Sequence, residues 1–390
     1  MTMAISERKT LYVVAAFLVA LLVVPPLKGM AIGLGLVMPR WVYLLVLSTC
    51  ISFLATPIAR RVAIALGALD RPGERKVHER PTPLFGGAAV YGAFSAVILL
   101  NFSFSLELKG VALGSTLVLL LGLVDDLRPL PAWFKLLFQF VAVGILIKFG
   151  VVLNLIPDGP LGTVGDWVLT ALWVLGITNA MNFLDGLDGL ATGLSAVSSL
   201  LFMVIAMRTG QAYMGFLSVA LLGSCLGFLP HNFRLRKPAS IFLGDAGSTF
   251  LGFTLAGIAV MGEWAEERLV NITIPVLILG VPIFDMVFTT VTRVWTGKVR
   301  SFREWLSYTG RDHFHHRLLD VGLDRRGAVL VICIVSFLLG LSALVLMGST
   351  DEDAVLVLLQ ATTMFALIAY FMIFVKRQYD RIGGEASRVP

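Results

Sequence analysis

The sequence predicts an all-α polytopic membrane bundle of about 11–12 transmembrane helices, and three observations carry that reading. Of the 390 residues, 57% are apolar and 14% are charged, where soluble domains carry about 25% charged residues. The apolar residues gather in runs near the roughly 20 residues that cross a hydrocarbon core. None of these runs alternates apolar and polar residues as a barrel strand does, so the backbone must satisfy itself within helices. The third observation is that Lys and Arg crowd into alternate connections, the orientation signal of a multi-pass chain.

Twelve segments qualify, at 11–27, 39–58, 84–101, 110–124, 133–153, 167–181, 190–206, 212–229, 248–262, 271–292, 327–347 and 354–375. The first follows Arg8 and Lys9 and stops at Pro25 and Pro26; no small-residue cleavage site follows it, so it reads as a retained extra helix rather than a signal peptide. One set of connections holds 25 of the 31 basic residues. It comprises the N-terminal tail, 59–83, 125–135, 182–189, 230–247, 293–326 and the C-terminal tail. This set is therefore expected in the cytoplasm, with both termini inside. Cys50, Cys225 and Cys333 lie within apolar runs, with no zinc or disulfide spacing. The net charge of +6 follows from the basic inner loops and has no nucleic-acid motif behind it. Disordered, collagenous, disulfide-stapled and ordinary soluble classes are excluded by the composition.

The reactive side chains collect on the same face. All five histidines are in inner connections, as are Asp125, Asp126, Asp185, Asp188 and Asp245. In chain order, the loop after the second span reads Arg71 to Gly87 and holds Lys76 and His78 in a Pro/Gly frame. At the inner end of the fourth span, Asp125 and Asp126 meet a helix C-terminus. Its partial negative charge disfavours acids, so the pair wants a cation; Arg128 and Lys135 in a plain turn are the simpler counter-ions. The sixth span runs into Asn179, Asn182, Asp185 and Asp188, spaced by three, a spacing that shares a helical face. Amide and carboxylate oxygens of this kind suit a hard cation. A capped helix start competes with that reading.

The ninth span opens with Gly244-Asp245-Ala246-Gly247-Ser248-Thr249. Small residues at a helix N-terminus expose N–H groups to an anion, and Asp245 can hold a metal bridging to it; Asp245 as a simple N-cap competes. Asp285 is the one acid well inside a predicted span, which marks it as a supporting group. Arg293, two turns on, is too far along that helix to pair with it directly. The loop before the eleventh span holds Arg311, Asp312, His313, His315, His316 and Arg317. Its flanking Arg residues fit a phosphate or sugar better than zinc.

Taken together, Lys76-Val-His78 with Pro-Thr-Pro and Gly-Gly, Asp125-Asp126, the Asn179–Asp188 run, Gly-Asp245-Ala-Gly-Ser and His313-x-His315-His316 resemble the polyprenyl-phosphate N-acetylhexosamine-1-phosphate transferases. The motifs keep the family's order from about residue 40 to about 320, and the His-x-His-His form resembles the N-acetylglucosamine-type members. The resemblance implies residues 1–38 as a tail and extra apolar segment, 39–326 as the transferase core, and 327–390 as a helical hairpin and tail. It implies transfer of a sugar 1-phosphate from a UDP-N-acetylhexosamine to undecaprenyl phosphate, with UMP released, at the cytoplasmic face of a bacterial inner membrane. The cofactor implied is Mg²⁺ or Mn²⁺, held by Asn182, Asp185 and Asp245. Asp125, Asp126 and Asp245 are the implied catalytic residues, and Lys76, His78, Asn179, Asp188, Arg311, His313, His315 and His316 the implied substrate contacts. The partners are the bilayer and the two substrates, with a homodimer as the assembly considered and no nucleic acid.

The chemistry is consistent with that assignment. Two anionic phosphates must be brought together, which calls for a metal and basic groups. A phosphate monoester is largely dianionic at neutral pH, so Asp125 or Asp126 is expected to orient or deprotonate the acceptor rather than serve as an indispensable strong base. A route through an aspartyl-phosphate stays open. The competing class is a transporter of an anionic or lipid-linked solute. Transporters place their sites near the midplane and carry internal repeats; this chain shows no repeat, and only Asp285 is deep.

Overall fold

The computed structural model describes residues 2–23, 38–72, 80–101, 105–157, 159–234, 236–301, 304–305, 308 and 310–386. The described residues form helices almost throughout, and each of the twelve predicted segments falls mainly on helix, residues 24–27 of the first lying outside the described residues. The chain divides into two compact units, Met1–Gly262 and Glu263–Pro390.

The first unit holds α1 (Thr2–Val23), α2 (Arg40–Leu66), α3 (Gly86–Asn101), α4 (Leu106–Leu127), α5 (Ala132–Lys148), α6 (Pro160–Leu184), α7 (Leu190–Arg208), α8 (Ala212–Asn232) and α9 (Gly244–Met261). Between α2 and α3, β1 (Leu69–Asp70) pairs antiparallel with β2 (Thr82–Pro83). The second unit holds α10 (Arg268–Ile278), α11 (Gly280–Trp295), α12 (Phe314–Asp320), α13 (Arg325–Val345) and α14 (Asp351–Ala386). By length and composition eight of these helices can cross a membrane, or nine if the bent pair α10–α11 is one span. Lys9–Val23 and Gly86–Asn101 are shorter apolar helices.

The tenth predicted segment is where the structure departs from a straight span. α10 and α11 meet at 77°. Pro282 has no N–H to offer Ile278, so the ladder across the joint is interrupted and the chain turns there.

α9 is the centre of the first unit. Its apolar stretch is 83% buried, against 6% for α14, which leaves α14 as a helix that needs lipid. α9 packs on α3, α4, α6 and α7. Small residues permit this, because association inside a bilayer depends on close backbone approach rather than on expulsion of water. A Cβ on Gly122 of α4 would lie 2.3 Å from the Cα of Ala246, and one on Gly87 of α3 would lie 2.2 Å from the Cα of Gly247. The head of α9 is thus pressed between two other helices at glycine-only spacing. The preceding strand of loop is tied in as well. Phe242 N donates to Pro83 O at 2.8 Å, Gly86 N to Phe242 O at 3.0 Å, and Gly87 N to Leu243 O at 2.7 Å. Phe85 closes this turn in a left-handed conformation (φ 74°), which a bulky residue adopts only when its surroundings impose it.

In the second unit, Phe284 of α11 fastens three helices. Its ring stacks on Phe365 of α14 at 4.3 Å and meets the edge of Phe314 of α12 at 5.5 Å. Asp351, at the start of α14, accepts from Leu269 N at 3.0 Å and so caps α10.

Candidate active site

In the first unit, the ends of α4 and α6, the head of α9 and the start of α5 bring five carboxylates together. Asp126, in the last turn of α4, accepts from Asp245 N at 2.8 Å and from Ala246 N at 3.4 Å. It therefore caps α9 from another helix. The C-terminal position that disfavours it in α4 is offset by the N-terminal field of α9. Asp245 itself makes no side-chain cap. The exposed N–H groups expected at this helix start are already engaged, and the anion on them is Asp126. Gly244 (φ 78°) makes this approach feasible: a Cβ there would sit 2.5 Å from Asp126 Oδ2.

Lys135 of α5 joins the pair. Its Nζ lies 2.8 Å from Asp125 Oδ2 and 3.0 Å from Asp245 Oδ2. Asp125 Oδ1 accepts from Leu130 N at 2.6 Å. The side chain of Asp125 is 8% exposed and that of Asp245 is 36% exposed, so Asp245 is the acid open to a ligand. Lys135 does act as a counter-ion, as the simpler reading of the sequence has it, but it bridges two helices rather than closing a local turn.

From α6, Asn182 Nδ2 donates to Ser248 Oγ at 2.9 Å, which places Asn182 one turn into α9 from Asp245. Asp185 caps the end of α6 and lies among acids. Burial first, then the carboxylates of Asp245, Asp126 and Asp188, push its pKa well above the usual range. Asp188 accepts from Ala239 N at 2.8 Å and anchors the loop before α9; it does not cap α7. Asn179 forms a reciprocal amide pair with Gln139 of α5, at 2.8 Å and 3.3 Å, and also donates to Leu175 O. Beside the acids runs a crevice lined by Val118, Leu121, Gly122, Lys135, Gln139, Asp245 and Thr249.

Gln139 is the site neighbour that motif reading passes over, and Lys135 enters it only as a local counter-ion. They stand four apart in an otherwise apolar helix up to Lys148, so they share a face; that pairing is the signal that finds them. Lys76 and His78 lie outside the described residues.

A divalent cation fits this cluster. Asn182, Asp185 and Asp245 offer hard oxygen donors, and the one ammonium in contact is shared by Asp125 and Asp245. Among the described residues, no three Asp, Glu, His or Cys side chains form a complete metal site.

The second unit carries the histidine loop. Asp285, fully buried, lies 2.7 Å from His313 Nδ1 through Oδ2 and accepts from Phe314 N at 2.5 Å through Oδ1. Arg293 donates to both oxygens of Asp312, at 2.9 Å and 2.7 Å, and its Nη2 is 3.2 Å from His313 Nε2. The Arg293 side chain beside Asp312 outweighs burial and lowers the Asp312 pKa. As expected, Arg293 does not pair with Asp285 directly; His313 stands between them. Arg317 donates to Asp312 O at 2.7 Å and lies over the Phe288 ring. His315 is 1% exposed, and neither ring nitrogen has a hydrogen-bond partner. Burial, then His316 and His313, hold its pKa well below the ordinary value. His316 is lowered in the same way, by burial and by His313 and Arg311. Both are neutral at physiological pH. Arg311 is exposed at the start of the loop.

The sequence of residues 108–263 matches the family model described as glycosyl transferase family 4. A Bacillus subtilis protein named probable undecaprenyl-phosphate N-acetylglucosaminyl 1-phosphate transferase is 37% identical over 320 residues, covering 80% of this chain and 87% of its own. This chain belongs to that transferase family. A decaprenyl-phosphate N-acetylglucosaminephosphotransferase of Mycolicibacterium smegmatis is 36% identical over 72% of this chain and 76% of its own. An undecaprenyl-phosphate alpha-N-acetylglucosaminyl 1-phosphate transferase of Yersinia pestis is 27% identical over 73% and 78%. The family membership accounts for acids gathered at helix ends in a multi-pass membrane protein, and it does not favour a transporter.

Proposed function

We propose that the chain transfers N-acetylglucosamine 1-phosphate from UDP-N-acetylglucosamine to undecaprenyl phosphate, at the cytoplasmic face of a bacterial plasma membrane. The observation that carries the reading is the bridge Asp125–Lys135–Asp245 set against the Asp126-capped head of α9, in a chain whose relatives bear the names of such transferases. An oxygen of the acceptor phosphate attacks the sugar-bearing phosphorus of the UDP-sugar. The bond from that phosphorus to its bridging oxygen breaks, and UMP leaves with the electron pair.

Asn182, Asp185 and Asp245 would hold Mg²⁺, which neutralises charge developing on the leaving diphosphate oxygens. Lys135 keeps Asp125 and Asp245 within one ammonium's reach despite their repulsion. Asp126 fixes the head of α9, and with it the place of Asp245. The carboxylate oxygens of Asp125 and Asp126 are already engaged by Leu130 N, Lys135, Asp245 N and Ala246 N. Those donors weaken both acids as nucleophiles, which supports direct attack by the dianionic acceptor over an aspartyl-phosphate. Neutral His315 and His316 suit the uncharged hydrogen-bonding parts of the nucleotide sugar, and Arg311 suits its phosphates.

Membranes containing the protein, supplied with both substrates, should release UMP and accumulate the lipid-linked sugar by mass. Chelation with EDTA should stop the reaction and added Mg²⁺ restore it. Full turnover in excess EDTA would remove the metal from the scheme, and no product with any UDP-N-acetylhexosamine would overturn the reading.

A further inference from the structure

The hydrogen-bond directions around His313 are fixed by its neighbours. A guanidinium only donates, so Arg293 Nη2 can meet His313 Nε2 only if that nitrogen carries a lone pair. The ring proton then resides on Nδ1 and is donated to Asp285 Oδ2 at 2.7 Å. The other oxygen of Asp285 receives Phe314 N–H, the first helical residue of α12. One residue before Asp285, Phe284 packs edge-on against Phe314. Asp312, Arg293, His313 and Asp285 thus form a single chain of donors and acceptors that ends on the backbone of α12. Both nitrogens of His313 are engaged inside it. His315, one residue into α12, has neither nitrogen engaged.

We propose that Asp285 is a positioning residue for the transfer reaction: through His313, which it holds as the Nδ1–H tautomer, and through Phe314 N–H, it sets α12 so that His315 and His316 meet the nucleotide sugar, and His313 itself does not act on substrate. This rests on the reading of the histidine loop as the UDP-sugar side. It assigns different work to three histidines that the motif presents as equivalent. An Asn in place of Asp285 gives its single oxygen to Phe314 N–H and turns an NH₂ toward Nδ1. The imidazole must then take the Nε2–H form, whose proton faces the Arg293 donor.

The test uses the full chain in membranes, with UMP release measured against both substrates. Asp285→Asn should raise KM for UDP-N-acetylglucosamine about tenfold, the scale typical of a lost outer-sphere partner, and leave KM for undecaprenyl phosphate within about twofold, since only binding on one side is touched. A second pair of variants removes dependence on that one protein folding. His313→Asn keeps an N–H where Nδ1 stood but cannot act as an acid, base or imidazole ligand. It should retain at least about ten times the activity of His313→Ala, a gap within the range seen when such partners are lost. Equal inactivity of His313→Asn and His313→Ala, with KM for the UDP-sugar unchanged, would show that the imidazole itself reacts and would overturn the proposal. A wild-type KM in Asp285→Asn would do the same. Failure of the wild-type chain to release UMP would instead overturn the functional reading beneath it.

Discussion

Around Asp245, two carboxylates share the Lys135 ammonium, and Asp185 lies beside Asp245, Asp126 and Asp188. Around His313, two carboxylates, one guanidinium and one imidazole satisfy one another atom by atom. Both regions are built around buried aspartates, yet they differ in how fully the charges are answered. In the first, burial and then the neighbouring carboxylates of Asp245, Asp126 and Asp188 push the Asp185 pKa up. In the second, each of these groups meets a partner at hydrogen-bond distance. The difference separates two uses of buried charge. An uncompensated cluster is a site awaiting a ligand, whereas a closed network is a frame that holds other groups still.

The comparison can be broken at the acidic end first. Asp245→Asn removes the more exposed of the two acids that Lys135 bridges and should lower UMP release by roughly 10³-fold, as loss of a group stabilising transition-state charge does; turnover within a few-fold of wild type would show that this acid has no catalytic use. Lys135→Met should follow, with a loss of about 10²-fold, because about 3 kcal/mol of charge compensation is removed from two acids at once. An unchanged rate there would mean that Lys135 is only a surface neighbour. Gly122→Val pushes a side chain into Ala246 and should destabilise the fold by about 1–3 kcal/mol, lowering the thermal midpoint in detergent. Its activity should fall less than in the two charge variants.

The smallest effect concerns pH and the balanced network. Asp312 has a folded pKa below its unfolded value, near 3.9. Its ion pair therefore contributes fully above about pH 4, and the contribution is lost as pH falls through the lowered folded value. Thermal midpoints should be insensitive to this group between about pH 5 and 8, and Asp312→Asn should flatten the decline below about pH 4. A decline that starts above pH 5 and vanishes in Asp312→Asn would contradict the ion pair.

The membrane class and the helices were readable because hydropathy is a local property, and each of twelve apolar runs falls mainly on helix. The break at Leu279 was not, since the run stays apolar across the bend and Pro282 acts by withholding one hydrogen bond. The acids at the site were readable as residues, but their division of labour was not. Asp126 finds its partner 119 residues away, and a capping acid and a metal-holding acid look alike in a list of motifs. Lys135 was visible yet took its meaning only from Asp245, 110 residues on. In the histidine loop the spacing offers three equal imidazoles, and the distinction among them comes from Arg293 and Asp285 on another helix.

The glycine contacts at the head of α9 have a consequence for how this protein can vary. Gly87, Gly122 and Gly247 set the separations of three backbones, and those separations place the Asp126 carboxylate on the helix that carries Asp245. The three helices work like a jig, in which Asp245 is located by close-packed backbone surfaces. A methyl group added at any of the three is an error of machining rather than of chemistry, and it would be carried along α9 to the reacting phosphate.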